Sequence, residues 1–62
     1  MIGKKIKILR IQRDMTLRQL AENAGLNIAT LSHIENGKVK PHGKTLKAIA
    51  DALGVKAEEI AE

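Results

Sequence analysis

The chain has 62 residues, of which 44% are hydrophobic and 29% charged, a balance typical of one small globular domain. It contains no Phe, Trp, Tyr or Cys, which excludes aromatic platforms for single-stranded nucleic acid, disulfide frameworks and thiolate zinc sites. No apolar run approaches the ~18 residues of a membrane span, and Lys and Arg interrupt the N-terminal apolar residues where a signal peptide needs them continuous. We therefore expect a single cytoplasmic domain, residues 1–62, without a membrane segment, metal or cofactor.

The net charge of +4 is distributed unevenly along the chain. Residues 1–20 carry a net charge of +5 and residues 38–47 a net charge of +4, whereas residues 21–37 and 48–62 are net negative. Two basic blocks indicate one side that faces a polyanion and an opposite side that avoids it. The alternative is an ordinary solvated surface with charges of both signs.

Apolar residues recur at helical spacing along the whole chain, and no alternation of period two is long enough for a strand. The first predicted helix ends near Asp14. The second begins after Thr16, an N-cap whose partner Gln19, three residues on, completes a capping box. It ends at Gly25, because glycine enters the left-handed conformation that follows a helix at little cost.

The third predicted helix spans residues 28–36 and begins after Asn27, a favourable N-cap. A polar connection over residues 38–43 holds the single proline and leads to a fourth helix that ends at Gly54. The pair His42-Gly43 combines a mediocre cap with a poor helix former, so the start of the fourth helix is left open. A fifth, short helix completes the chain, and the fold class is all-α.

The second and third predicted helices, joined through Gly25, form the outline of a helix-turn-helix. Ala21 is small where the two helices must cross closely. Apolar residues fill the space below the crossing: Leu20, Ala24, Leu31 and Ile34. This pattern alone is a weak signal, because most pairs of helices that meet at a corner need much of it.

The residue identities make the pattern specific. The chain resembles the phage-repressor helix-turn-helix family, the lambda-repressor-like or Cro-type fold, over nearly its whole length. The matching positions are Leu9-Arg10, Arg13, Met15-Thr16-Leu17, Gln19-Leu20-Ala21-Glu22, Ala24-Gly25-Leu26, Leu31-Ser32, Ile34-Glu35-Asn36-Gly37-Lys38, Pro41, Thr45-Leu46, Ile49-Ala50 and Ala52-Leu53-Gly54-Val55. The resemblance implies a compact five-helix DNA-binding domain with a central helix-turn-helix, whose third helix enters the major groove of duplex DNA.

The outward arc of the third helix holds the candidate base contacts. At about 100° per residue, Ile28, Ala29, Ser32, His33 and Asn36 point away from the inward residues of that helix. Ile28 and Ala29 suit contact with thymine methyl groups, and Ser32 and His33 suit hydrogen bonds with base edges. The alternative for each is a surface side chain without a role.

Candidate phosphate contacts surround that arc. They are Leu17, Arg18, Asn27, Asn36, Lys38 and Lys40. The resemblance implies that the N-terminus of the second helix lies on the DNA backbone, which adds Leu17 and Arg18. Leu17 would contribute its amide, because the N-terminus of a helix carries unpaired N–H groups and a positive dipole end. The alternatives are a turn at Asn36-Gly37 and solvated lysines.

Two further features of the first helix stand apart from the candidate DNA contacts. The resemblance implies that Arg10 pairs with Glu35 between the first and third helices, the alternative being two unrelated surface charges. Ile8 and Ile11 lie off the inward stripe of the first helix, so they either close over Met15 or form an exposed apolar patch that suits a partner protein or self-association.

The function that this combination favours is sequence-specific binding of double-stranded DNA by a transcriptional regulator, with a repressor expected. We expect a monomer or weak dimer in the free state and a homodimer on DNA. Two alternatives stay open: an antitoxin of a toxin–antitoxin pair, and a helical protein-interaction module that does not bind DNA. An enzyme is disfavoured, because the carboxylates are scattered and no nucleophile–base set or glycine-rich phosphate loop occurs.

Overall fold

A computed structural model of the chain describes residues 1–61. This part of the chain forms five helices: α1 (Ile2–Gln12), α2 (Leu17–Ala24), α3 (Ile28–Glu35), α4 (Gly43–Leu53) and α5 (Ala57–Ile60). It contains no strand, and none of its helices is long and apolar enough to cross a membrane. The prediction of an all-α, five-helix fold is confirmed.

The core is built from aliphatic side chains alone, and all five helices contribute to it. Its buried members are Ile6, Leu20, Ala21, Leu31, Ile34, Ile49, Ala50, Leu53 and Ile60. Complete burial of one Leu or Ile side chain is worth about 1.5–3 kcal/mol. Since the chain lacks aromatic residues, the helices must approach closely for these smaller side chains to fill the interior.

The start and end of α2 follow the predicted local signals. The Gln19 amide donates to Thr16 Oγ1 at 3.0 Å, and the Thr16 amide donates to Gln19 Oε1 at 2.8 Å, which is a complete capping box. At the other end Gly25 has φ +70°, and the Leu26 amide donates to the Ala21 carbonyl at 2.8 Å. These hydrogen bonds reverse the chain between α2 and α3 within three residues.

The first and fourth helices differ slightly from their predicted limits. Helix α1 ends at Gln12, and Asp14 adopts a left-handed φ of +54° in the turn that follows, a conformation that Asp tolerates better than most residues. Helix α4 begins at Gly43, with His42 as an N-cap that makes no side-chain hydrogen bond. The start of this helix, which the sequence left open, therefore lies at the His42-Gly43 pair.

Gly3 has a structural role that the sequence analysis did not find. A Cβ atom at this position would lie against the carbonyl oxygen of Ile34 and 2.8 Å from the carbonyl oxygen of Glu35. Both obstacles are backbone atoms, which cannot rotate away as a side chain can. The missing side chain of Gly3 is what lets α1 rest directly on the C-terminal end of α3.

Replacement of Gly3 by Ala is expected to destabilise the domain by about 1–3 kcal/mol, because the added methyl group forces α1 away from α3. Gly43→Ala is the matched control: it also lies in the first turn of a helix, and nothing lies within 4 Å of its Cβ position. There the exchange should stabilise by about 0.4–1 kcal/mol, by restricting the unfolded chain. Urea unfolding followed by circular dichroism measures both, and equal effects would contradict the close approach at Gly3.

Candidate nucleic-acid interface

The solvent-exposed side of α3 is the centre of the candidate interface. Leu31, Ile34 and Glu35 are buried, whereas Ala29 and His33 are exposed on the opposite side of the helix. Asn36, which follows the last turn, is exposed as well. The structure thus places the methyl group of Ala29, the imidazole of His33 and the amide of Asn36 on a single outward face.

Three residues of α3 differ in exposure from what the helical angle predicted. Ile28 and Ser32, both predicted on the outward arc, are only half-exposed, and Ile28 packs against the core because the α2–α3 turn carries the first residue of α3 close to the interior. Thr30, which by angle lies outside that arc, is exposed. The helical angle gives the direction of each side chain around the helix axis, but the packing of the neighbouring helices determines which of those directions are buried. Thr30 is therefore a candidate contact that sequence reasoning missed.

The polar side chains at the two ends of α3 are oriented by hydrogen bonds. Asn27 Oδ1 accepts from the Ala29 amide at 2.8 Å, so the cap uses the oxygen and the Nδ2 group points elsewhere. At the other end Asn36 Nδ2 lies 3.5 Å from Ser32 Oγ, and Ser32 is half-buried. Ser32 and Asn36 therefore form one polar pair on the flank of the exposed face.

The chain leaves α3 through a turn that determines where the following lysines begin. Gly37 has φ +77°, its amide donates to the Ile34 carbonyl at 3.1 Å, and the Lys38 amide donates to the His33 carbonyl at 2.9 Å. This pair of hydrogen bonds is a Schellman motif. It ties the backbone of Lys38 to the last turn of α3, and both Lys38 and Lys40 are exposed.

The N-terminus of α2 is the second electropositive element. Thr16 and Gln19 cap it as described, so within the first turn the amides of Leu17 and Arg18 lie at the positions that lack intrahelical acceptors. The Leu17 side chain packs against the core, whereas Arg18 is exposed. This helix end thus combines a full positive charge with the partial charge of the helix dipole.

Arg10 and Glu35, the pair that the resemblance implies, lie in contact. Arg10 Nε donates to Glu35 Oε2 at 2.8 Å and Arg10 Nη2 to Glu35 Oε1 at 3.1 Å, while Nη1 donates to the Met15 carbonyl at 2.9 Å. The two side chains are only 13% and 5% exposed. Such a bidentate pair is directional as well as strong, so it orients α3 against both α1 and the α1–α2 turn.

Arg13 also serves the fold, although its charge counted toward the basic block of the sequence. Its Nε donates to the Leu53 carbonyl at 2.7 Å and its Nη1 to the Leu9 carbonyl at 3.1 Å. A guanidinium at the end of α4 satisfies a carbonyl that has no intrahelical donor. The charge of Arg13 is thus used in joining α1 to α4.

The chain matches the helix-turn-helix family model over residues 6–60. This chain belongs to the helix-turn-helix family. The resemblance to phage repressors seen in the sequence is confirmed by a relative, the immunity repressor protein of Bacillus phage phi105, which is 41% identical over 59 residues. The match covers 95% of this chain, and the chain spans 41% of the length of that repressor.

Solved structures of one regulator share the fold. SinR, described as the master regulator for biofilm formation and solved in complex with DNA, is 32% identical, with a TM-score of 0.95 and complete coverage of both chains. The complex of SinR with SinI gives a TM-score of 0.94 and 32% identity, covering all of this chain and 61% of that one. These proteins are thus described as a repressor and as a regulator solved in complex with DNA. Among the residues described here no His, Asp and Glu cluster could hold a metal ion.

The Arg10–Glu35 pair allows a test of what holds α3 in place. Arg10→Met alone should destabilise the domain by about 3–5 kcal/mol, because it strands a buried carboxylate, and Glu35→Met should do the same to the guanidinium. The double variant should recover most of that loss, since neither charge is then unpaired. Denaturant unfolding at low temperature measures all four proteins, and additive losses would show that the pair is not coupled.

Proposed function

We propose that this chain is the sequence-specific DNA-binding domain of a transcriptional repressor, residues 1–62 forming one domain that inserts α3 into the major groove. The observation that carries the proposal is the exposed face of α3, held rigidly by the Arg10–Glu35 pair and flanked at both ends by electropositive groups. Membership in the helix-turn-helix family and similarity to a phage immunity repressor support the same function. Duplex DNA as ligand also supports the cytoplasmic location expected from the sequence.

The proposed base readers differ in how far they reach. Ala29 and His33 stand at the centre of the face, Ser32 on its flank, and Ile28 reaches the groove only with the exposed part of its side chain. Ala29 and Ile28 would contact thymine methyl groups, and His33 and Ser32 would hydrogen-bond base edges. We add Thr30, which is exposed beside them. Because no Arg, Lys or Gln stands at the centre of the face to bind a purine with two hydrogen bonds, DNA shape must contribute to specificity.

The proposed phosphate contacts lie on both sides of the readers. On one side are the amide of Leu17 and the side chains of Arg18 and Asn27; on the other are Asn36, Lys38 and Lys40. These groups fix the register of the protein on the duplex, whereas base contacts select the sequence. The α2 capping box and the Schellman turn fix the backbone at Leu17, Arg18 and Lys38, whereas the exposed Arg and Lys side chains lose rotamer freedom upon binding.

We also propose that two copies bind each operator, although the free protein is a monomer or weak dimer. Enrichment of bound duplexes from a random pool tests both specificity and pairing. We expect a two-fold symmetric motif whose half-sites lie about one helical turn, ~10–10.5 base pairs, apart. Enrichment of asymmetric single sites would contradict pairing, and the absence of any enriched motif would contradict sequence-specific binding.

The two alternatives left open by the sequence have less support. The interaction module without DNA binding leaves the exposed lysines at the end of α3 unexplained. An antitoxin that also regulates its own gene would use these lysines, but it needs a toxin-binding surface as well, and the similar proteins are a repressor and a regulator. A protein partner is compatible with DNA binding rather than a substitute for it. The proposed function therefore includes a partner protein in addition to DNA.

Phosphate contacts should dominate the affinity. For one bound monomer with about four basic side chains engaged, log K should fall with log salt at a slope near −3 to −4. The double variant Lys38→Ala/Lys40→Ala should make that slope shallower by about 2 and weaken all duplexes alike. Lys47→Ala/Lys56→Ala, which removes two lysines beside the groove between α4 and α5, is the matched control and should keep the slope. Equal slopes for both double variants would remove Lys38 and Lys40 from the contacts.

His33 should select bases, and His42 provides the matched control because it is exposed and makes no side-chain hydrogen bond. His33→Ala should relax the preference at one or two base pairs by about 1–3 kcal/mol while non-specific affinity changes little. His42→Ala should keep the wild-type order of operator preference. Competition binding with single-base operator variants measures both, and an unchanged order for His33→Ala would exclude His33 as a reader.

A further inference from the structure

The outer face of α1 carries an apolar and basic patch that neither the core nor the proposed DNA contacts use. It consists of Lys4, Lys7, Ile8 and Ile11 on the side of α1 opposite the buried Ile6. Ile8 and Ile11 each follow one of the two lysines by four residues. Ile8 is 46% exposed and Ile11 is 54% exposed. The sequence left open whether these isoleucines close over Met15, and the structure leaves them on the surface.

The patch is part of a shallow groove. Its second wall is the C-terminal end of α3, where Glu35 and Asn36 line the same depression. Two adjacent isoleucines in such a groove are more than the scattered exposed apolar residues of an ordinary surface, and apolar patches with a polar rim mark interaction sites. The four side chains span two helical turns, about 10 Å, which matches the contact length of one amphipathic helix.

The charges in the groove determine what kind of helix fits. Lys4 and Lys7 are exposed at its edge, whereas the carboxylate of Glu35 is already bound by Arg10. The field that an approaching molecule meets is therefore positive. A second copy of this chain in a two-fold contact would bring the same positively charged patch against itself, which is unfavourable. DNA phosphates would match the lysines but leave both isoleucines in water.

We propose that this groove docks an acidic amphipathic helix of a partner protein, which lays its apolar stripe on Ile8 and Ile11 and its carboxylates beside Lys4 and Lys7. Apolar burial supplies the affinity, and the two lysines supply orientation and discrimination. The test of this inference uses no duplex and is therefore independent of the proposed DNA binding; the two sites meet at Asn36, which lines the groove and is also a proposed phosphate contact.

The test uses the intact chain and three synthetic peptides of about 18 residues, long enough to form a helix upon binding. The first has leucines at spacings of three and four with glutamates elsewhere, the second has lysines in place of the glutamates, and the third scrambles the first. Titration by calorimetry should detect the acidic peptide at micromolar concentrations. The basic and scrambled peptides should bind at least about tenfold more weakly.

Variants of the chain then locate the binding site. Ile8→Gln/Ile11→Gln should weaken the acidic peptide at least about tenfold, whereas Val39→Gln, at an equally exposed aliphatic residue outside the groove (47% exposed), should leave its affinity unchanged. Lys4→Glu/Lys7→Glu should reverse the preference, so that the basic peptide binds better than the acidic one. Gln and Glu are good helix formers, and unchanged thermal unfolding of each variant verifies that the fold is intact.

Three results would overturn the proposal. The first is that the acidic peptide does not bind, or binds with an affinity that none of these variants alters. The second is that the chain binds vesicles of phosphatidylglycerol but not the peptide, which would assign the patch to a membrane surface. The third is a concentration-dependent dimer, seen by sedimentation, that Ile8→Gln/Ile11→Gln abolishes, which would assign the patch to a second copy of the chain.

Discussion

The Arg10 guanidinium joins α1 both to the turn that follows it and to the end of α3, 25 residues further along the chain. Its contacts with both oxygens of Glu35 hold α1 to the end of α3, and its contact with the Met15 carbonyl holds the turn that leads to α2. Because the pair is buried, the loss of one partner leaves a charge without compensation. A shift of α3 relative to α1 would break one or both of the Arg10–Glu35 hydrogen bonds. The orientation of α3, and with it the proposed reading face, depends on this contact.

The rest of the fold is consistent with that constraint. Leu, Ile and Ala side chains fill less space than aromatic ones, so the helices around this core must lie close together. Gly3 allows this close approach where α1 meets the backbone of α3. Short turns such as the one at Gly25 prevent the helices from drifting apart. Arg13 adds a second connection, from α1 to the end of α4. In a domain of this size, where the surface buried on folding is limited, each such contact is a large share of the stability.

The basic residues divide into two groups with different tasks. Arg10 is half-buried and binds a carboxylate, and Arg13, although exposed, donates to carbonyl oxygens of two helices, so both charges stabilise the fold. Arg18, Lys38 and Lys40 point outward and surround the exposed face of α3. The net charge of the chain or of one of its basic blocks cannot distinguish these two groups, because each Arg or Lys counts as +1 whatever it contacts in the fold.

The sequence by itself determined the helices, their caps and the family, because those signals are local. The bonds of the Thr16–Gln19 box span three residues, so residue identity suffices to predict them. Only the tertiary structure decided that α1 contacts the backbone of α3 at Gly3 and that Arg13 binds the last carbonyl of α4. It also decided that Ile28 is partly buried while Thr30 is exposed. Each of these depends on a neighbour that is distant in the sequence, and the hydrophobic pattern of one helix carries no information about which surface another helix will cover.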